Sequence, residues 1–285
     1  MVGLAIALSA CTLLTKLDDL SGGDNTAAED GSDGTVSDAR GFDERVDRDG
    51  NGGASDAGGG VDSGSDAPCG HPGPTNGLVA YYAFEEGSGT TVHDCSDNHS
   101  DGTILQPAPN TWTMGAKGGA LRVSAPNGCV DLGMPEALQP STMSIAAWVN
   151  VRAYPAVSAS GYVVGQTLNA DGSGWRFGSI GDDAGSFGWL NTTAGTRYAV
   201  NAIGPAVGAW HHVAVTFAPN AAVSVFVDGL AKTIQTSVPA ITFSAVSYRI
   251  GCRADGANVF DGLIDEVRIY DRVLSNAEIA SLAAP

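Results

Sequence analysis

From Leu78 onward the chain is written in short runs of alternating apolar and polar residues, each closed by Gly, Pro, Asn or Asp. This rhythm constrains the fold more than any other feature, because period-two alternation suits a strand with one face buried and the closing residues suit turns. The runs fall at residues 78–84, 120–123, 129–132, 143–151, 162–166, 175–180, 186–191, 197–202, 211–217, 222–227, 246–251 and 263–270. With no helical pattern between them they predict an all-β fold, a sandwich or barrel. Val213, Val215 and Phe217 share one face of their run and Val223, Val225 and Val227 one face of the next, so these two form a hairpin over Pro219-Asn220. Asp228-Gly229 marks a second tight turn, since both residue types tolerate positive φ. The single helix expected lies at the end, where Ser275 and Glu278 form a capping box ahead of Ile279 and Leu282.

The segment before this region has a different chemistry. Residues 18–68 hold twelve Asp and two Glu against three Arg, so most of the chain's net charge of -17 sits there, among twelve Gly and almost no large apolar side chains. Such a segment lacks the apolar surface to offset its ordering entropy and reads as a disordered, self-repelling linker spanning about 40 Å root-mean-square. Within it, Asp47, Asp49 and Asn51 with Gly52 copy half of a calcium loop, but Gly58 stands where the bidentate Glu belongs, so a solvated spacer is the reading kept. Ahead of the linker, the apolar run 2–10 is the length of a signal-peptide core and ends Leu8-Ser9-Ala10-Cys11, which resembles a bacterial lipobox; no Lys or Arg precedes it. That resemblance implies lipid on Cys11 and, with Thr12 next, an outer-membrane or cell-surface location. The expected organisation is therefore 1–11 signal and lipobox, 12–68 linker and 69–285 folded domain, held to the membrane by lipid alone. Only three lysines are present and no apolar run reaches the ~18 residues of a span, which argues against nucleic-acid binding and integral membrane insertion.

Several ordered motifs carry a family resemblance: Gly77-Leu78-Val79-Ala80-Tyr81-Tyr82-Ala83-Phe84-Glu85-Glu86, then Val92-His93-Asp94-Cys95-Ser96, then Trp210-His211-His212-Val213-Ala214-Val215, Val227-Asp228-Gly229, and Asp261-Gly262-Leu263-Ile264-Asp265-Glu266-Val267-Arg268-Ile269-Tyr270. Together they resemble the LamG-like jellyroll domain of the concanavalin A-like lectin/glucanase superfamily, from about Gly77 to Leu282. The resemblance implies a two-sheet antiparallel jelly-roll sandwich with its first and last long strands adjacent, serving as a recognition module for an extracellular glycan or protein. It also implies a structural Ca²⁺, held by Asp94, Ser96 and Asn98 with Asp265 of the last strand; here Asp97 replaces the family's Gly. In an unbroken strand Asp265 shares the face of Val267 and Ile269 and points inward, where backbone donors or an arginine such as Arg122 or Arg268 offer the alternative to calcium.

Catalysis is not expected. The Glu-x-Asp-x-Glu spacing that the superfamily's hydrolases use is missing, and the adjacent pairs Glu85-Glu86 and Asp265-Glu266 point to opposite faces of a strand. His211-His212 belongs to a fold motif, and no nucleotide-binding loop precedes a helix. A polysaccharide hydrolase or lyase and a structural envelope protein remain the alternatives. For ligand contact, aromatic residues in or near turns matter because a flat ring stacks on sugar C–H faces. Tyr154, Trp175 and Trp189 are the candidates, with Trp112 and Tyr198 behind them and the Asn169–Gly174 loop as rim. Cys69, Cys95, Cys129 and Cys252 form an even set in an exported chain, so two disulfides are expected. Of the three connectivities, Cys69–Cys95 with Cys129–Cys252 is favoured, since the first would tie the start of the domain to a nearby loop and the second would join two strand ends.

Overall fold

The computed structural model describes residues 69–157, 159–168, 173–181 and 185–285. The expectations for Cys11, the acidic linker and the Asp47–Gly52 half-loop lie outside these residues.

Sixteen strands occur in chain order: β1 (Leu78–Tyr82), β2 (Thr91–Val92), β3 (Gly102–Leu105), β4 (Trp112–Met114), β5 (Gly119–Val123), β6 (Cys129–Asp131), β7 (Met143–Val151), β8 (Gly161–Gln166), β9 (Gly174–Ser179), β10 (Ser186–Thr193), β11 (Thr196–Ile203), β12 (Trp210–Phe217), β13 (Ala222–Val227), β14 (Leu230–Thr236), β15 (Arg249–Ile250) and β16 (Gly262–Tyr270). They form two antiparallel sheets. The first runs β14-β13-β12-β7-β16-β5-β4 with β1 also on β16; the second runs β11-β10-β9-β8-β15-β6-β3-β2. This is the expected sandwich, and its first and last long strands are adjacent.

The β12–β13 hairpin shows why the sequence folds this way. Val213 pairs with Val227, Val215 with Val225 and Phe217 with Val223, so apolar side chains meet on one face of the sheet. Asp228 and Gly229 then take φ values of 53° and 74°, the conformation a two-residue hairpin turn requires, and Val227 pairs with Leu230 across it.

Between the sheets, Trp175 of β9 stacks on Trp189 of β10 with ring centroids 5.1 Å apart, and Trp189 stacks on Phe217 of the facing sheet at 5.3 Å. Both tryptophans are 0 % exposed. The expectation that they contact ligand is therefore corrected: a stacking platform needs an open ring face, and here both rings are fully buried, with Trp189 joining the two sheets.

The face of the first sheet that points away from this core is also covered. Phe226, Ala146, Ala214 and Tyr270 pack with Ile279 and Leu282 of the C-terminal helix α1 (Asn276–Leu282), whose Ser275–Glu278 capping box is formed as expected. Cys69–Cys95 and Cys129–Cys252 are disulfide-bonded, with Cα atoms 5.5 and 5.7 Å apart.

Strand β16 changes partner along its length. Residues 262–264 pair with β5 and residues 267–270 with β1. Between them a bulge breaks the register against β7, with Glu266 at φ 54°. Ile264, Val267 and Ile269 all face the core, so the alternation slips across the bulge and Asp265 stands on the opposite side from Val267. The inward aim expected for Asp265 is corrected on this ground: it is buried, but beneath the outer covering of the sheet.

Candidate functional site: the loop end of the sandwich

The described residues bring together three separate polar constructions, which differ in how far their hydrogen bonds are satisfied.

The first is the Asp94 loop. Asp94 Oδ1 accepts hydrogen bonds from the N–H groups of Tyr81 (2.8 Å) and Ser96 (2.9 Å), and Oδ2 accepts from the Ser96 hydroxyl and the Ser100 N–H, each at 2.9 Å. Asn98 donates through Nδ2 to the Val79 carbonyl at 2.9 Å. Four donors occupy the carboxylate, so this loop uses its oxygens to fasten itself to β1.

The second lies at the β16 bulge. Asp265 Oδ2 accepts the Lys117 N–H at 2.9 Å, and Glu85 Oε2 accepts the Gly119 N–H at 3.0 Å, so one glycine-rich loop, 115–119, closes over both carboxylates. At Gly115 the approach is so close that a Cβ would lie 2.5 Å from Asp265 Oδ2. The other oxygens, Asp265 Oδ1 and Glu85 Oε1, are buried without partners. Burial pushes Asp265 up to about 8; the Lys117 N–H opposes the rise, and the charges of Glu266 and Glu85 add to it. Asp94 and Asp265 have no hydrogen-bond partner in common. Among the described residues no group of three or more His, Cys, Asp or Glu is placed around one point. Anionic oxygens lacking donors, which suit a hard cation, are found at Glu85 and Asp265; the sequence named Glu85 only as half of a discounted catalytic pair.

The third construction is open. At the end of the sandwich where β12 begins and β13 ends, a cleft of about 730 Å³ lies between the sheets' edge strands β11 and β14. His211 and Asp228 line it, with His211 Nδ1 2.9 Å from Asp228 Oδ2. Asp228 Oδ1 accepts the His212 N–H at 3.1 Å, which fixes the carboxylate, while His211 Nε2 has no partner. Lys232 and Thr233 of β14 and Pro205 complete the walls that matter here, and Thr233 Oγ1 donates to the Asn201 carbonyl at 2.8 Å, tying one edge strand to the other.

A smaller recess of about 150 Å³ adjoins it, lined by Tyr154, Pro155, Phe260 and Asp261 among others. The Tyr154 hydroxyl donates to the Pro205 carbonyl at 2.7 Å, so the half-buried ring of Tyr154 belongs to the recess while its oxygen braces the rim of the cleft. Burial holds its hydroxyl well above the usual phenol range. Of the aromatic candidates from the sequence, Tyr154 is the one that the structure sets at a cavity. Trp112 is half-buried and donates Nε1 to the Gly89 carbonyl at 3.1 Å, and Tyr198 packs on the core. Part of the Asn169–Gly174 loop lies outside the described residues.

A sequence profile described as concanavalin A-like lectin/glucanases superfamily, of laminin G type, matches residues 124–280. The chain belongs to this family. Its concanavalin A-like fold is shared with domain 4 of AbnA, a GH43 extracellular arabinanase from Geobacillus stearothermophilus whose structure was solved in complex with arabinotriose: TM-score 0.60, 21% identity, covering 74% of this chain and 100% of that one. It is likewise similar to the binding domain of Paraclostridial Mosquitocidal Protein 1 (TM-score 0.56, 17% identity, 73% of this chain and 52% of that one). The botulinum neurotoxin serotype G binding domain compares at TM-score 0.55 and 14% identity, over 72% of this chain and 50% of that one. The chain thus spans about half the length of these two toxin binding domains. At such identities the likeness establishes the shared sandwich. No curated protein matches the sequence.

Proposed function

We propose that this concanavalin A-like domain is a non-catalytic recognition module that binds an extended glycan along its loop end, from the Tyr154 recess into the His211–Asp228 cleft. The observation that carries this reading is the Tyr154–Pro205 hydrogen bond, which joins an aromatic residue lining the recess to a residue lining the cleft. A ring so placed stacks on one sugar unit while polar groups of the cleft, Asp228 and Lys232 among them, meet the hydroxyls of the next. Two disulfides fit an exported protein. We further assign lipid to Cys11, with residues 12–68 as the tether that carries the domain at a membrane surface, and a structural Ca²⁺, if one is bound, to Glu85 and Asp265.

A polysaccharide array with the full-length oxidised chain tests the central claim. Retention of one or more glycans is expected, lost at least tenfold in Tyr154→Ala and kept in Tyr154→Phe, both with unchanged melting. A well-folded protein that retains no glycan, or an alanine variant that binds as well as the parent, sinks the reading. The anchor is tested separately by metabolic labelling with a fatty acid, which Cys11→Ser abolishes if the assignment holds.

A further inference from the structure

Arginine in this chain is scarce relative to acid, with Lys and Arg together at 14 against 31 Asp and Glu, so a guanidinium would be expected to find a carboxylate. Arg152, Arg249, Arg253, Arg268 and Arg272 do: they hold Asp261, Asp131, Asp255, Glu266 and Glu278. Arg122 does not. It sits on β5 between Leu121 and Val123, which both face the core, so its own side chain leaves the opposite side of the sheet. There it is half-buried, its Nε is buried without a hydrogen-bond partner, and among the described residues it forms no ion pair. A partly desolvated guanidinium with an unused donor is costly, and one without an ion pair among the described residues is open to an anion from outside.

The space in front of it fits that purpose. Arg122 lines a cavity of about 200 Å³ together with Arg152, Asn110, Ser124 and Asn127, and no Asp or Glu is among its lining residues. Arg152 reaches Ser124 Oγ with Nη2 at 3.4 Å while its Nε donates to Asp261 Oδ1 at 2.6 Å. The far wall is stiff: Ser124 and Asn127 exchange backbone hydrogen bonds of 3.1 and 2.7 Å across a tight turn. Two guanidinium groups, two amides and a hydroxyl make a donor-rich pocket, and the guanidinium fork matches a planar carboxylate in geometry as well as charge. The volume is below that of a pocket for a whole small ligand, and suits one acidic group with part of the ring that bears it.

An ion pair links this pocket to the loop end. Asp261, the partner of Arg152, lines the Tyr154 recess, and the next residue, Gly262, lines the arginine cavity. We propose that the Arg122–Arg152 cavity is the acid-group subsite of the loop-end site, so that the glycan recognised carries carboxylates, as a uronic-acid polymer does. The inference rests on the glycan reading above and names the class of ligand.

Its test uses the full-length oxidised chain and a matched pair of probes: an oligogalacturonide and the same oligosaccharide with its carboxyl groups reduced to alcohols. The parent protein is expected to bind the acidic form at least tenfold more tightly, a preference that shrinks as salt rises from 50 to 500 mM. Arg122→Gln removes the preference while leaving affinity for the reduced form and the melting temperature unchanged; Arg152→Gln, on the exposed rim, weakens it and serves where Arg122→Gln folds poorly. Equal binding of both probes by the parent overturns the acid subsite and leaves glycan recognition standing. So does retention of sulfated chains with no retention of the uronate. If neither oligosaccharide binds, the glycan reading falls, and the cavity is judged on free galacturonate alone: a saturable shift of the Arg122 Nε–H resonance supports an acid site, and an unmoved resonance removes it.

Discussion

The covered face of the first sheet and the open loop end use the same residue types to opposite effect. On the covered face Glu266 accepts from the Tyr81 hydroxyl at 2.7 Å and from Arg268 at 2.8 Å, with His71 Nδ1 3.1 Å away, and Arg268 lies 4.0 Å from the centre of the Tyr81 ring. At the loop end His211 has one partner and Arg122 none. Glu266 and Arg268, enclosed on all sides, are matched to each other, because an unmatched buried charge costs several kcal/mol; Asp265, with one backbone donor, is instead pushed toward its neutral form. Charge at a cavity mouth is relieved by water and tolerates a vacancy. The degree of pairing, more than the residue type, separates groups that hold the fold from groups that are available to a ligand.

The comparison is broken most severely in the core. Trp189→Ala should cost about 3 to 5 kcal/mol, read by urea denaturation, because it removes the ring shared by both sheets; a loss under about 1 kcal/mol would contradict the stacked geometry. Glu266→Gln comes next. With both partners almost fully buried (6% and 3% exposed side chains), stranding Arg268 should cost about 3 kcal/mol, without change in glycan binding. At the loop end the pattern reverses: His211→Ala should shift stability by less than about 1 kcal/mol, since its ion pair with Asp228 is solvent-exposed, while weakening glycan retention severalfold. An equal loss of stability in the two regions would erase the distinction drawn here.

A further effect is a pH dependence that involves two groups on the covered face. Burial lowers His212 to about 4, with Arg268 and Lys117 lowering it further against the pull of Asp228. Its folded pKa lies below the unfolded value, so it takes stability away as pH falls below about 6.5. Asp265, raised to about 8, behaves in the opposite sense: its contribution is complete below about 4 and is lost as pH rises to 8. Each slope is about 1.4 kcal/mol per pH unit at most. Between pH 4 and 6.5 they oppose each other and stability should be nearly flat; from 6.5 to 8 the Asp265 slope stands alone and stability should decline. Asp265→Asn should remove that decline in melts across the range. Calcium in excess should also remove it by favouring the ionised carboxylate, and identical melts in calcium and in EDTA at pH 8 would exclude a cation between Glu85 and Asp265.

Much of the sandwich was legible because its strands have one apolar face. The run at 143–151 and that at 222–227 coincide with β7 and β13. β14 was not foreseen because it is an exposed edge strand, with Leu230 and Ile234 each 64% exposed, so no burial contrast is written into it. The run at 246–251 shortens to Arg249–Ile250. The tryptophans were misread although their own spacing held the answer: Trp175 and Phe177, and Phe187 and Trp189, are each two apart and so share the core face. Asp265 could not be placed from sequence, since a bulge with positive φ at a glutamate leaves no mark in the pattern. The Asp228 turn was legible, its bond to His211 was not, because that bond depends on which residues the hairpin register sets side by side.

Where β1 pairs with β16, the first and last long strands lie side by side, and the ends of the fold meet beyond them: Arg268 donates to the His71 carbonyl at 2.5 Å, and Gly73 lies against Leu282. Neighbouring ends make the order of the strands along the chain negotiable. A circular permutant that links residue 285 to residue 69 and opens at the tight turn between β10 and β11, where Ala194 and Gly195 have φ of 50° and 76°, retains every strand pairing but that one hairpin's connection. The sandwich is in that sense a ring of strands that the chain happens to cut at β1.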